Sequence, residues 1–164
     1  MVRWNPQGPQ MPHQLTTASA FEIRRPTANE EDLLFDIWWR SVRATHTFLS
    51  EPDLQSLAPL VRELRLVSLD TWLLCAASGP IGFIVMDDTR VEALFIHPEW
   101  LRRGGGSLLI DPARRLYGKL KVDVNEPNIP ALRFYLARGF SIVGRSATDS
   151  AGRPFPLLHL SQTA

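Results

Sequence analysis

Cysteine is nearly missing from this chain: Cys75 is the single one among 164 residues. A disulfide framework within the chain is thereby excluded, as is a zinc site built on cysteines. Histidine is scarce too. His13, His46, His97 and His159 are scattered and never fall at metal-ligand spacing, so no metal is expected. No apolar run approaches the roughly 18–20 residues that span a bilayer. The first residues lack the apolar stretch of a secretory signal. The expectation is a cytoplasmic protein with no membrane partner. An excess of one charge is also absent. The 18 basic residues meet 17 acidic ones, for a net charge of +1. No basic stripe interleaves with aromatics, so a nucleic-acid partner has no electrostatic support.

What is present suits a packed domain. The length suggests one domain, and 45% hydrophobic residues supply a core. Residues 1–20 are rich in Pro, Gln, Gly, Ser and Thr and show no periodicity, so a flexible extension is expected there, ahead of one domain over 21–164. Phe21 to Arg25 alternates as a strand. Thr27 and Glu30 then fit a capping box for a helix over 28–43. A second helix is predicted over 51–67, with Leu54, Leu57, Leu60, Val61 and Leu64 on one side and Pro59 kinking or splitting it. Three runs, Trp72 to Ala77, Ile81 to Asp87 and Val91 to Ile96, are joined by short turns and predict an antiparallel meander. A glycine turn opens a helix over 105–117, which Pro112 should kink. Strands follow near 119–125, 140–145 and 155–160, with a short helix over 129–138 that Gly139 is placed to end.

The first chemical signal is Ile96-His97-Pro98-Glu99-Trp100-Leu101-Arg102-Arg103-Gly104-Gly105-Gly106-Ser107. A strand ends, and glycines open a helix. Glycine lets backbone approach a ligand, and a helix N-terminus presents unpaired N–H groups with partial positive charge. Together they suit a pyrophosphate, and Arg102 and Arg103 add charge. A Walker loop would need a lysine after the glycines, and the dinucleotide fingerprint would need glycine where Leu109 stands.

The second signal runs from Val124 through Asn128, Ala131, Phe134 and Tyr135 to Gly139 and Phe140. Asn128 can cap the helix and Pro130 is tolerable in its first turn. Phe134 and Tyr135 lie three and four residues after Ala131, so they share its side of the helix.

In order and separation, the two segments resemble the coenzyme-binding motifs of the GNAT superfamily of N-acetyltransferases, over roughly residues 21–161. The strings Ser41 to Ser50, Glu92 to Pro98 and Pro154 to Leu160 further resemble the small bacterial YjaB-type subgroup. Leu101 stands where the family pattern carries Gln or Arg, Arg102 is displaced by one position, and Gly105 replaces a branched apolar residue. The resemblance implies an α/β fold, a mixed and mostly antiparallel sheet of about seven strands flanked by about four helices. It implies acetyl-CoA as cosubstrate and an amine as acceptor. It places the coenzyme against Leu94, Phe95 and Ile96 on the fourth strand, against residues 101–107 of the glycine turn, and against Asn128, Ala131, Phe134 and Tyr135.

Acetyl transfer needs a neutral amine, a stabilised thioester oxygen and a protonated leaving thiolate. The resemblance puts Tyr135 at the position of the acid for the thiolate. Glu92, on the fourth strand, and His46, after the first helix, are the candidate bases, and His97 is a weaker one. Asn128 would position the pantetheine or a water. Against the enzyme stand two other readings: a non-catalytic acyl-CoA sensor, and an interaction protein. The acceptor and the oligomeric state are open.

Overall fold

The structure, a computed structural model, describes residues 20–163. The expected extension over 1–20 lies, apart from Ala20, outside the described residues. Seven strands form one sheet: β1 (Phe21–Arg24), β2 (Asp70–Ala76), β3 (Gly79–Asp87), β4 (Arg90–Ile96), β5 (Lys121–Asn125), β6 (Phe140–Ser146) and β7 (Leu157–Gln162). Their spatial order is β1-β2-β3-β4-β5-β7-β6, and all neighbours pair antiparallel except β4 and β5. Four α-helices flank the sheet: α1 (Glu31–Thr45), α2 (Glu51–Glu63), α3 (Gly105–Tyr117) and α4 (Ile129–Ala137). The predicted order and fold class are therefore observed.

Alternation decides which face each residue serves. Along β2, Trp72 and Leu74 enter the core under α3 and α4, whereas Leu73 and Cys75 enter the core under α1 and α2. A strand covered on both faces reads as an unbroken apolar run, and Trp72 to Cys75 is one. Cys75 is a buried free thiol, and burial raises its pKa.

Helix entry follows local chemistry. The Thr27 N–H donates to Glu30 at 2.7 Å, one half of the expected box, and a short 3₁₀ turn over Ala28–Glu30 precedes α1. Ser50 caps α2 by accepting from the Asp53 N–H at 3.3 Å. Neither proline splits its helix: α2 runs past Pro59 and α3 past Pro112. The apolar side expected for α2 is only partly used. Leu54 is buried and Leu57 and Val61 pack partly against the core, but Leu60 and Leu64 are exposed. Gly139 takes φ +80° just past α4, as its capping position demands.

One irregularity positions everything that follows. Val85 pairs with Ala93 and Met86 with Val91, so Glu92 is an extra residue, a bulge in β4. A bulge bends its strand and disrupts pairing locally. The parallel ladder between β4 and β5 contains only Arg90 with Lys121 and Val91 with Val122. Beyond that point the strands part.

Glu30 supplies a stability test. Its bidentate bond from Arg24, at 2.7 and 2.9 Å, lowers its pKa from 4.5 to about 2. A carboxylate depressed in the folded state contributes fully above its unfolded pKa and loses that contribution as pH falls through the folded one. Glu30→Gln should therefore lower the thermal midpoint at pH 7. The difference from wild type should shrink below about pH 4.5 and vanish near pH 2, as measured by melting across that range.

Candidate active site

The parting of β4 and β5 opens a cleft of about 410 Å³. Leu94, Phe95 and Ile96 form one wall. Among the described residues, the backbone of this segment has no strand partner on the side away from β3. Buried backbone groups seek partners, so the segment is a ready edge for an extended ligand arm.

The cleft ends at the glycine turn. Gly104 adopts φ +83° and caps α3 without a side chain. The N–H groups that open α3, at Gly105, Gly106 and Ser107, have no partner within the helix by its geometry, and all three residues line the cleft. A Cβ on Gly106 would lie 2.9 Å from the Phe134 ring, so the aromatic ring rests on bare backbone. A Cβ on Gly105 would meet Ile96 and Leu74 at 3.2 and 3.3 Å. Those two side chains fill the space that the family's branched residue would take.

Leu101 and Arg102 also line the cleft, with Arg102 in the left-handed region at φ +61°. Arg103 does not line it: its guanidinium lies 5.2 Å from the Trp100 ring centroid. His97 accepts from the Glu99 N–H at 3.3 Å and so caps the turn after β4, a structural task that accounts for its ring.

Helix α4 brings Asn128, Ala131, Phe134 and Tyr135 to the opposite wall. The Asn128 side chain accepts from the Ala131 N–H at 3.3 Å, so its carbonyl end is engaged as a cap. Tyr135 is buried and held edge-on by Phe134 and Phe140, each at 5.1 Å. Burial pushes its hydroxyl pKa upward, so the group stays protonated and able to donate.

The end of α1 closes the cleft through Ser41, Thr45 and His46. The His46 ring lies 6.0 Å from Phe95, and burial lowers its pKa to about 4. It is neutral at physiological pH and a weak base. Glu92 lies outside the cleft at the bulge, 3.7 Å from Arg90, and partial burial raises its pKa. Among the described residues, no group of three or more His, Cys, Asp or Glu could hold a metal ion, and no helix is long and apolar enough to cross a membrane.

Arg138 is a cleft residue that the motif reading missed. It donates to the Ser107 hydroxyl, lies over the Phe134 ring, and keeps a buried Nε with no partner. A buried donor without an acceptor is costly, so an anionic or carbonyl group in the cleft would satisfy it. The signal was available: Arg138 follows Ala131 and Phe134 by seven and four residues, on one helix face.

Comparison with known proteins defines the class. The acetyltransferase (GNAT) family model matches residues 31–140, and the chain belongs to that family. It is 39% identical over 139 residues to the peptidyl-lysine N-acetyltransferase YjaB of Salmonella typhimurium, covering 84% of this chain and 95% of that protein. The solution structure of apo YjaB from Escherichia coli superposes with a TM-score of 0.81 at 36% identity, covering 89% of this chain and 99% of that one. The PaiA N-acetyltransferase of Thermoplasma acidophilum, solved with coenzyme A, shares the fold with a TM-score of 0.74 at 18% identity, over 89% of this chain and 100% of its own. The protein is an acetyl-CoA-dependent N-acetyltransferase, and the reading as a sensor without chemistry gains no support.

The Phe134–Gly106 contact yields a binding test. Gly106→Val must displace the ring and disturb the backbone donors of α3. Loss of one backbone hydrogen bond to the ligand is worth about 0.5–1.5 kcal/mol, so acetyl-CoA should bind up to roughly tenfold more weakly by calorimetry.

Proposed function

We propose that this protein transfers the acetyl group of acetyl-CoA to the ε-amine of a lysine on a protein. The observation that carries the transfer is the fork between β4 and β5, which opens past the bulge at Glu92 and reaches the start of α3. The lysine acceptor rests on the 39% identity to a peptidyl-lysine acetyltransferase across nearly all of that relative.

In this reading the α3 N–H groups and Arg102 take the pyrophosphate. Leu94 to Ile96 hold the pantetheine by backbone bonds, and Asn128 and Arg138 fix it from α4. The amine attacks the thioester carbonyl: a C–N bond forms, and the C–S bond breaks after charge has gathered on the oxygen. A β4 N–H stabilises that oxygen. Tyr135 gives its proton to the departing thiolate. Burial keeps that proton in place until the thiolate forms.

Glu92 accepts the amine's proton through water. Partial desolvation raises its pKa above the ordinary glutamate value, which makes it a somewhat stronger base. His46, with its pKa lowered by burial to about 4, holds an incoming proton less well than Glu92, whose pKa is raised. It serves as a wall beside Phe95.

The test is coenzyme thiol release from acetyl-CoA with a lysine-bearing protein substrate, compared with free lysine and a polyamine. Preference for the protein supports the reading, and equal or better rates on the small amines overturn the acceptor assignment. Tyr135→Phe should lower kcat roughly a hundredfold with acetyl-CoA affinity unchanged. Glu92→Gln should lower kcat at least roughly tenfold. A variant that keeps its rate removes that residue from the mechanism.

A further inference from the structure

Away from the cleft, three strands carry a second arrangement of reactive groups. Asp123 on β5 faces its register partner His159 on β7, and Asp123 Oδ1 lies 2.7 Å from His159 Nδ1. On the far side of the ring, His159 Nε2 lies 2.6 Å from Ser146 Oγ on β6. Gly144 is the β6 partner of His159, and a Cβ there would lie in van der Waals contact with the imidazole at 3.4 Å. The bare glycine gives the ring room to cross the strand and reach Ser146. On the other side, Arg90 donates to Asp123 Oδ2 at 3.0 Å, so both carboxylate oxygens are engaged.

A carboxylate only accepts, so Nδ1 carries hydrogen toward Asp123. In that tautomer Nε2 holds a lone pair, which the Ser146 hydroxyl is placed to meet as donor. Those are the roles of an activated serine: a nucleophile, a base, and a third group that orients the base. All three side chains remain partly open to solvent. Among the described residues β6 is an edge strand, so its outward N–H groups lack a ladder partner.

We propose that Ser146 is a nucleophile activated by His159 and Asp123, and that it reacts with activated acyl compounds such as aryl esters and acyl thioesters. The Oγ attacks the acyl carbon while its proton passes to His159 Nε2. The C–O or C–S bond of the donor breaks, and the leaving group takes the proton from the imidazolium. Water, activated by the same ring, later cleaves the serine ester. The site lies outside the Tyr135 cleft, is joined to Glu92 through Arg90, and does not rest on the lysine acceptor.

The experiment treats the full chain with a fluorophosphonate and maps the adduct by mass spectrometry, with 4-nitrophenyl acetate hydrolysis as a second readout. One adduct on Ser146 is expected, absent in Ser146→Ala and formed roughly a hundredfold more slowly in His159→Asn. Acetyl-CoA binding by calorimetry should match wild type in both variants, which confirms that they fold. The absence of an adduct on Ser146, or labelling that His159→Asn leaves undiminished, would overturn the proposal. The second result would mean an ordinary surface serine in a cross-strand hydrogen-bond network.

Discussion

The premature end of the β4–β5 ladder is the constraint on which this molecule's chemistry rests. Two pairs of residues hold the strands together, and then the extra residue at Glu92 turns β4 away. A continuous sheet would satisfy its own backbone and leave no place for a ligand arm. Here the satisfaction is withheld along Leu94 to Ile96, and the cost falls to a ligand to relieve. The bulge also resets the alternation of β4: Val91 faces the core under α3 and α4, yet Ala93, two positions on, faces the core under α1 and α2. One inserted residue thus opens the cleft and changes which side chains line it.

Burial then sorts the titratable groups by role. Tyr135, enclosed by two phenylalanines, holds its proton more firmly than a free tyrosine. His46, enclosed at the end of α1, gives up its proton more readily than a free histidine. The same desolvation acts in opposite directions because it favours the neutral form of each. The walls of the cleft are therefore uncharged near the reaction, while positive potential is concentrated at Arg102, Arg138 and the start of α3.

Much of this was readable from the residues. The periodicity around Leu34 and Trp38, the glycine turn at 104–106 and the run from Asn128 to Phe140 placed the helices and the order of strands. They did so because each local choice agrees with the global fold. The residue at which β4 bulges was harder to see: it depends on which residue of β3 faces which of β4, and the sequence 90–96 alone reads as a plain strand. The exposure of Leu60 and Leu64 was hidden for a similar reason, since a helical stripe does not say how much of it a neighbour covers. Arg103 looked like a phosphate ligand by its neighbours, yet a nearby indole took it. Asp123, His159 and Ser146 meet only through the β5-β7-β6 order, which inverts the chain order of the last two strands.

The burial of Cys75 has a practical side. Its sulfur sits in the core under α1 and α2, on a strand shielded on both faces. Any reagent that counts sulfhydryls in a working sample sees the coenzyme product and little of the polypeptide. Once the core opens, each chain adds a single equivalent. The residue is thus a built-in gauge of intactness, silent while the sheet holds and visible only when it does not.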